Sequence, residues 1–422
     1  MNAIKALGIG LGLILVLATG GAVQAQAPPG YEKEPVLKAK DLAGPELLQG
    51  PHFTVDPEVP VKGFIARFTI RSPFGTFQAD GLRMLPIRVN EVEALAKLEE
   101  LSRTREFIAA AGRQAVRPVT AAANMVSRPV ETVTGIPGGV TRLFGRIGLA
   151  TTRVVQAART PGGSGVERTV ETSRRLGGVV AISFGFEQER RKLAERLGVD
   201  PYTTNPVLSE RLTDVAWVSF SGRSVITAAT SILVPYSMAM ASVSVTDRGI
   251  FDTPAGDLVN RASAIFAETG ASRTQVQSLM ANPYYSLSVL TAVATGIQRL
   301  QGVAGRESVV IFAAAAETED EANFVAGAVN MLARYHETVA PLAWVSAPGP
   351  ILGRTEAGAL VLPAPIDLVS WIAPVRETMG RAELQAPEKR GYLSGWVTPL
   401  ASKRLTSLGW NIYESFPFAW ER

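Results

Sequence analysis

The chain contains no cysteine, and that absence decides what must hold it together. No disulfide, thiol nucleophile, cysteine-ligated zinc or iron–sulfur cluster can form, so stability has to come from burying apolar surface. The 422 residues are 46% hydrophobic and 19% charged, which is outside the composition of a disordered chain. Length and apolar content suffice for two or three domains with cores of their own.

The absence weighs more because the N-terminus reads as an export signal. Lys5 gives a positive start, Ala6 to Ala18 an apolar run, and Gly20-Gly21 break that run. Val23-Gln24-Ala25 then places small residues where a signal peptidase cuts. A signal peptide over 1–25 and a periplasmic or secreted product are expected. The glycine pair and the processing site favour this over an uncleaved anchor.

The patterning predicts an α+β fold with an N-terminal β-hairpin, a central mainly helical region and a C-terminal α/β layer. The units are 26–102, an Arg-rich segment 103–175, a helical region 176–303 and an α/β region 304–422. In the first unit Phe64, Ala66, Phe68 and Ile70 alternate with Ile65, Arg67, Thr69 and Arg71, a strand with one apolar face. Ser72-Pro73-Phe74-Gly75 turns it back into a second strand over 76–79. Asn90 followed by Glu93 predicts the start of a helix.

Helix punctuation dominates the middle. Gly198 closes a helix over 187–197, and Asn205-Pro206 opens the next. Thr253-Pro254, Ser272 with Gln275, and Asn282-Pro283 read as further starts. Residues 200–208 align without gaps to 282–290, through a shared Pro-Tyr step and a later Val-Leu. Helix-start chemistry accounts for most of that match, with an internal duplication as the alternative. No charged residue occurs between Ser224 and Thr246, but seven Ser, Thr and Pro residues make the stretch read as a buried element rather than a membrane span.

In the last unit 308–313 reads as a short strand, and Thr318 with Glu321 as a capping box opening a helix to His336. Strands follow at 342–346 and 359–362. A strand over 392–397, a helix over 399–408 stopped by Gly409 and a strand over 410–414 complete the layer.

The charge is uneven. Twelve arginines and four glutamates lie between Arg103 and Arg175, in a chain whose formal net charge is +4. There Arg117-Pro118-Val119 and Arg128-Pro129-Val130 recur, each reading as the start of a short helix. After a Pro/Gly loop, Leu143, Phe144 and Ile147 share one helical face and Arg142, Arg146 and Arg153 lie on the other. A basic face beside an apolar one suits an anionic surface. The same pattern also suits a helix that packs its apolar side on the body.

Catalytic motifs are scarce. His52 and His336 are the two histidines; no HExxH, G-x-S-x-G, S-x-x-K or Gly-rich phosphate loop occurs. His336 reads as a helix C-terminal cation and His52 as a loop residue, neither catalytic. Ser164 in Gly162-Gly163-Ser164-Gly165 is a linker residue. Glu317, Glu319, Asp320 and Glu321 form the densest acidic group, which a helix N-terminus explains. Asp200, Glu356 and Asp367 stand isolated. The expected role is therefore binding, with no cofactor and no metal, to anionic lipid or a cell-envelope polymer through Arg142, Arg146, Arg153, Leu143, Phe144 and Ile147, or to a protein partner. Nucleic acid is disfavoured by export and by the lack of interleaved aromatics. The alternative is a metal-independent hydrolase using a carboxylate pair in the C-terminal region, recognisable by two acids facing each other in a concave pocket.

Overall fold

The computed structural model describes residues 30–104, 107–108, 140, 184–222 and 249–416. These form an α+β fold: an N-terminal antiparallel sheet, a stack of helices and a C-terminal mixed sheet. The expected hairpin is the heart of the first sheet. Strand β5 (Ile65–Ser72) pairs along its length with β6 (Gly75–Asp80), Ser72 facing Gly75 at the turn. Shorter strands β1 (Val36–Lys38), β2 (Gln49–Gly50), β3 (Phe53–Val55) and β4 (Glu58–Lys62) complete six strands in the order β1-β4-β5-β3-β2, with β6 on β5. Phe68 and Ile70 are fully buried, whereas Arg67 lies on the opposite face of β5, half-buried. That alternation points Arg67 at the next layer.

Two helices lie against or near this sheet: α1 (Pro45–Leu48) and α2 (Met84–Ser102). The second starts six residues before the expected Asn90 cap. Pro86 falls in its first turn, where a missing N–H costs no helical bond. Asn90 is instead a buried mid-helix residue whose Nδ2 donates to Gly198 O at 2.6 Å. Its amide thus ties α2 to the end of α3 (Phe184–Leu197), which Gly198 closes at a φ of +65°.

Helix α4 (Pro206–Gly222) begins as expected, Asn205 Oδ1 accepting from Val207 N and Leu208 N. Next come α5 (Gly249–Asp252), α6 (Ala255–Glu268) and α7 (Arg273–Met280), the last opened by a complete Ser272–Gln275 capping box. Asn282-Pro283 does not open a helix. Asn282 makes a turn, accepting from Tyr284 N and donating to Ala314 O and Ala316 O, and Ser286 caps α8 (Leu287–Arg299). Asp200 makes the same turn by accepting from Tyr202 N. The likeness of the two segments therefore includes shared turn chemistry.

Residues 308–313 lie in helix α9 (Glu307–Ala313), not in a strand. A short apolar run carries no period that separates the two. Helix α10 (Glu319–Thr338) is capped by Thr318, whose Oγ1 accepts from Glu321 N at 3.2 Å. Phe324, Ala328, Leu332 and Tyr335 are buried on its inner face, as their spacing requires. It packs on α8 and on the C-terminal sheet.

That sheet contains β7 (Leu342–Ser346), β8 (Leu352–Thr355), β9 (Leu360–Ala364), β11 (Lys389–Leu393) and β13 (Trp410–Tyr413). Its order is β13-β11-β9-β8-β7, parallel across the first three and antiparallel across the rest. The expected strand over 392–397 is two pieces, β11 and β12 (Trp396–Val397), the latter paired with β10 (Leu368–Val369). Between β10 and β11 lies α11 (Ala373–Met379). Helix α12 (Pro399–Ser407) makes the crossover to β13, ended by Gly409 at a φ of +82°.

Candidate functional site

Sequence-distant carboxylates converge where these layers meet. The end of β6, the first turns of α2 and α10, the loop after Asp200, the start of α8 and the 365–367 loop enclose a cavity of about 90 Å³. Its walls carry Asp80, Glu91, Asp200, Glu319, Asp320 and Asp367, together with Arg83 and Arg88. There is room for a few water molecules or one small polar substituent.

Arg67 organises the first group. Its Nη1 donates to Asp80 Oδ1 at 2.7 Å and its Nη2 to Asp320 Oδ2 at 2.9 Å, so one guanidinium holds two carboxyls side by side. Facing the same guanidinium, the two acids lie close enough for the charge of Asp80 to act on Asp320. Burial, then the charge of Asp80, pushes the Asp320 carboxyl up to about 7, against the pull of Arg67. Asp320 therefore gives up its proton far less readily than an exposed aspartate.

The second group is closed. Arg88 donates through Nη1 to Glu91 Oε2 at 2.8 Å and through Nη2 to Glu319 Oε1 and Thr204 Oγ1, each at 3.0 Å. Glu91 also accepts from Thr203 Oγ1 and from Asn205 Nδ2. Burial opposes the charge on Arg88, but Glu91 and Glu319 outweigh it and hold its pKa above the ordinary value. Every partner is inside the network, which fastens α2 to the 203–205 loop and α10.

Asp367 and Asp200 serve the backbone. Asp367 accepts from Ala66 N at 2.8 Å and from Leu82 N at 3.2 Å, clamping the hairpin to the C-terminal sheet, and burial raises it to about 6. Asp200 accepts from Tyr202 N at 2.7 Å and Ser288 Oγ at 2.6 Å; burial raises it to about 6 as well.

Several residues singled out in the sequence are in this cavity wall. Asp200, Glu319, Asp320 and Asp367 come together there, although each reads as isolated or as helix-end decoration. Glu321 is buried and accepts from Glu317 N at 2.7 Å. Glu356 is exposed in the turn between β8 and β9. His336 is not a donor to helix carbonyls: its Nδ1 accepts from Leu342 N at 2.8 Å, the start of β7. His52 Nδ1 pairs with Glu93 Oε2 at 2.8 Å, away from the cavity. Asp80, Arg88 and Glu91 escaped notice. The alternation of β5 had placed Arg67 on its polar face, but nothing local marks what it meets.

Arg142, Arg146, Arg153, Leu143, Phe144 and Ile147 lie outside the described residues, as do the signal segment, Ser164 and the stretch from Ser224 to Thr246. Among the described residues no helix is long and apolar enough to cross a membrane, and no group of three or more acidic or histidine side chains is placed to hold a metal. Compared with known proteins, the chain matches no family model, no curated protein and no solved structure.

Proposed function

We propose that this chain is an exported cell-envelope protein that works through the cavity, as a hydrolase in which Asp80 and Asp320 form a metal-independent acid–base pair. The observation that carries the reading is the pair itself: two carboxyls held side by side by Arg67, both in the wall of one cavity. Its members come from the N-terminal hairpin and the start of α10, so the pair spans two regions rather than belonging to the C-terminal one. Envelope-surface binding rests on the arginine-rich segment, and the described residues add nothing to it.

The chemistry asked of the pair is ordinary. The carboxylate takes a proton from a water that attacks the electrophilic carbon. The carboxylic acid gives its proton to the leaving oxygen or nitrogen, and the pair is reset by exchanging that proton. Arg67 fixes the geometry and supports the single charge. A cavity of about 90 Å³ admits one small acyl group and leaves the remainder of a larger substrate outside.

The test is turnover of a panel of nitrophenyl esters, nitrophenyl glycosides and fluorogenic peptides by the protein lacking residues 1–25. Activity on one class is expected, unaffected by EDTA and lowered by at least about 10²-fold in Asp80→Asn and Asp320→Asn. His336→Gln, which keeps an acceptor for Leu342 N, should leave it within about tenfold. No turnover of any class, or full activity in both aspartate variants, refutes the reading.

A further inference from the structure

A larger cavity lies on the far side of α8 from the acidic one. Val289 and Ala292 of that helix line the acidic cavity, whereas Thr291, Ala294, Thr295 and Gln298 line the other, of about 230 Å³. These four recur at the spacing of a single helix face. Leu258, Arg261, Ala262 and Ile265 repeat that spacing on α6, which packs on α8, and Ile250 of α5 adds to the wall.

The gap has its cause in the sequence. Ala262, Ala294 and Thr295 stand where larger side chains would close the space between two packed helices. Leu258, Ala262, Ile265 and Ala294 are buried and give the interior an apolar surface. Arg261 and Gln298 are exposed and Thr295 is half-buried, so polar groups mark the side open to solvent.

Those polar groups are uncommitted. Thr291 Oγ1 donates to Leu287 O within α8, but no hydrogen bond or ion pair engages the side chains of Arg261, Thr295 or Gln298. Arg261 is the one charged residue in the described wall. The acids nearest it in sequence, Asp252, Asp257 and Glu268, neither line the cavity nor pair with it.

A guanidinium is a planar fork of donors that matches a carboxylate. The apolar interior beside it suits a short aliphatic chain or an aromatic ring. The volume falls below the roughly 300–1,000 Å³ usual for drug-sized ligands, so the guest is small. We propose that the space between α6 and α8 binds a small organic carboxylate, its apolar body between the helices and its carboxylate on Arg261, beside Gln298. An inorganic anion would gain nothing from the interior, and an uncharged molecule nothing from Arg261.

Isothermal titration of the mature chain with hexanoate and benzoate, against 1-hexanol and benzamide as uncharged counterparts, decides it. Saturable binding of at least one carboxylate is expected, at least about tenfold tighter than its counterpart, because a hydrogen bond to a charged group is at stake. Arg261→Gln changes an exposed residue and should weaken binding by at least about tenfold. Ala294→Leu fills the interior without touching the guanidinium and should remove binding, with Thr295→Leu in its place if that variant does not fold. No saturable binding of either carboxylate, equal binding of the uncharged counterpart, or affinity unchanged in Arg261→Gln or in the filled variant overturns the proposal.

Discussion

Replacing Glu91 by leucine tests whether the closed ionic network beside the cavity holds the fold together. Glu91 is 1% exposed, and its carboxylate accepts from Arg88, Thr203 and Asn205. Arg88, itself 9% exposed, would keep Glu319 and Thr204, so its charge is left half-compensated rather than bare. Removing one partner of a buried ion pair costs about 3–5 kcal/mol. Retained Glu319 pulls the figure down, whereas the stranded Thr203 and Asn205 add about 1 kcal/mol each. The net is a loss of about 3–5 kcal/mol, a large part of the 5–15 kcal/mol typical of a whole domain.

Urea denaturation followed by circular dichroism measures that loss, and a melting scan should show a drop of about 6–12 °C. The companion variant is Arg88→Met with Glu91→Leu. Removing both charges in favour of apolar side chains should recover at least half of the loss, because most of the penalty comes from the half-compensated cation. As a reference, Lys97→Ala breaks an exposed pair with Glu100 and should change stability by less than about 0.5 kcal/mol. Glu91→Leu within about 0.5 kcal/mol of the parent, or a double variant no better than the single one, would refute the reasoning.

Two further outcomes follow from the same geometry. Asp200 and Asp367 rise from an ordinary 3.8 to about 6 in the folded chain, so the folded state binds protons that the unfolded state has released. Their contribution is complete below about pH 4 and is lost as pH climbs through about 6; in urea titrations between pH 4.5 and 7.5, Asp367→Asn should flatten the fall by about 2 kcal/mol. Gly395→Ala should destabilise by more than about 2 kcal/mol, since an added Cβ would fall 1.9 Å from Asp367 O, and a melting temperature equal to the parent's would show that the loop can yield.

What the sequence disclosed and what it hid divide along physical lines. Elements with a period and a cap were legible: the alternation of β5, the Ser272–Gln275 box, the Thr318 start of α10 and the Gly198 and Gly409 stops all carry their cause within a few residues. Readings failed where tertiary contacts used the same residues differently. Asn90 has the side chain of a helix cap, but a carbonyl at Gly198 claims its amide. Asn282 precedes a proline, but carbonyls at Ala314 and Ala316 claim its Nδ2. The cavity was illegible for a stronger reason. Asp80, Asp320 and Asp367 are separated by 240 and 47 residues and meet only through the packing of two sheets, and a carboxylate pair leaves no local mark. Asp320 was visible as one of four acids at a helix start, where attraction to the helix N-terminus is sufficient explanation; its burial against Asp80 is not contained in that pattern.

The distinction between holding the fold and doing chemistry then rests on which polar groups have their partners within the protein. Glu91, Glu319 and Arg88 satisfy one another, and Asp367 spends its oxygens on the amides of Ala66 and Leu82. For Arg88 the paired carboxylates outweigh the cost of leaving water, and for Asp367 the two amide bonds offset part of it. Asp80 and Asp320 differ, because Arg67 supplies one positive charge to two acids, and burial with the charge of Asp80 pushes Asp320 up to about 7. A structural tie between β5 and α10 would be met as well by a single aspartate facing Arg67. Burial, and after it the charge of Asp80, raises Asp320 to about 7, a liability for stability above that range and the property an acid–base catalyst requires. That surplus carboxyl, placed on a cavity wall, is the feature that stability alone does not explain.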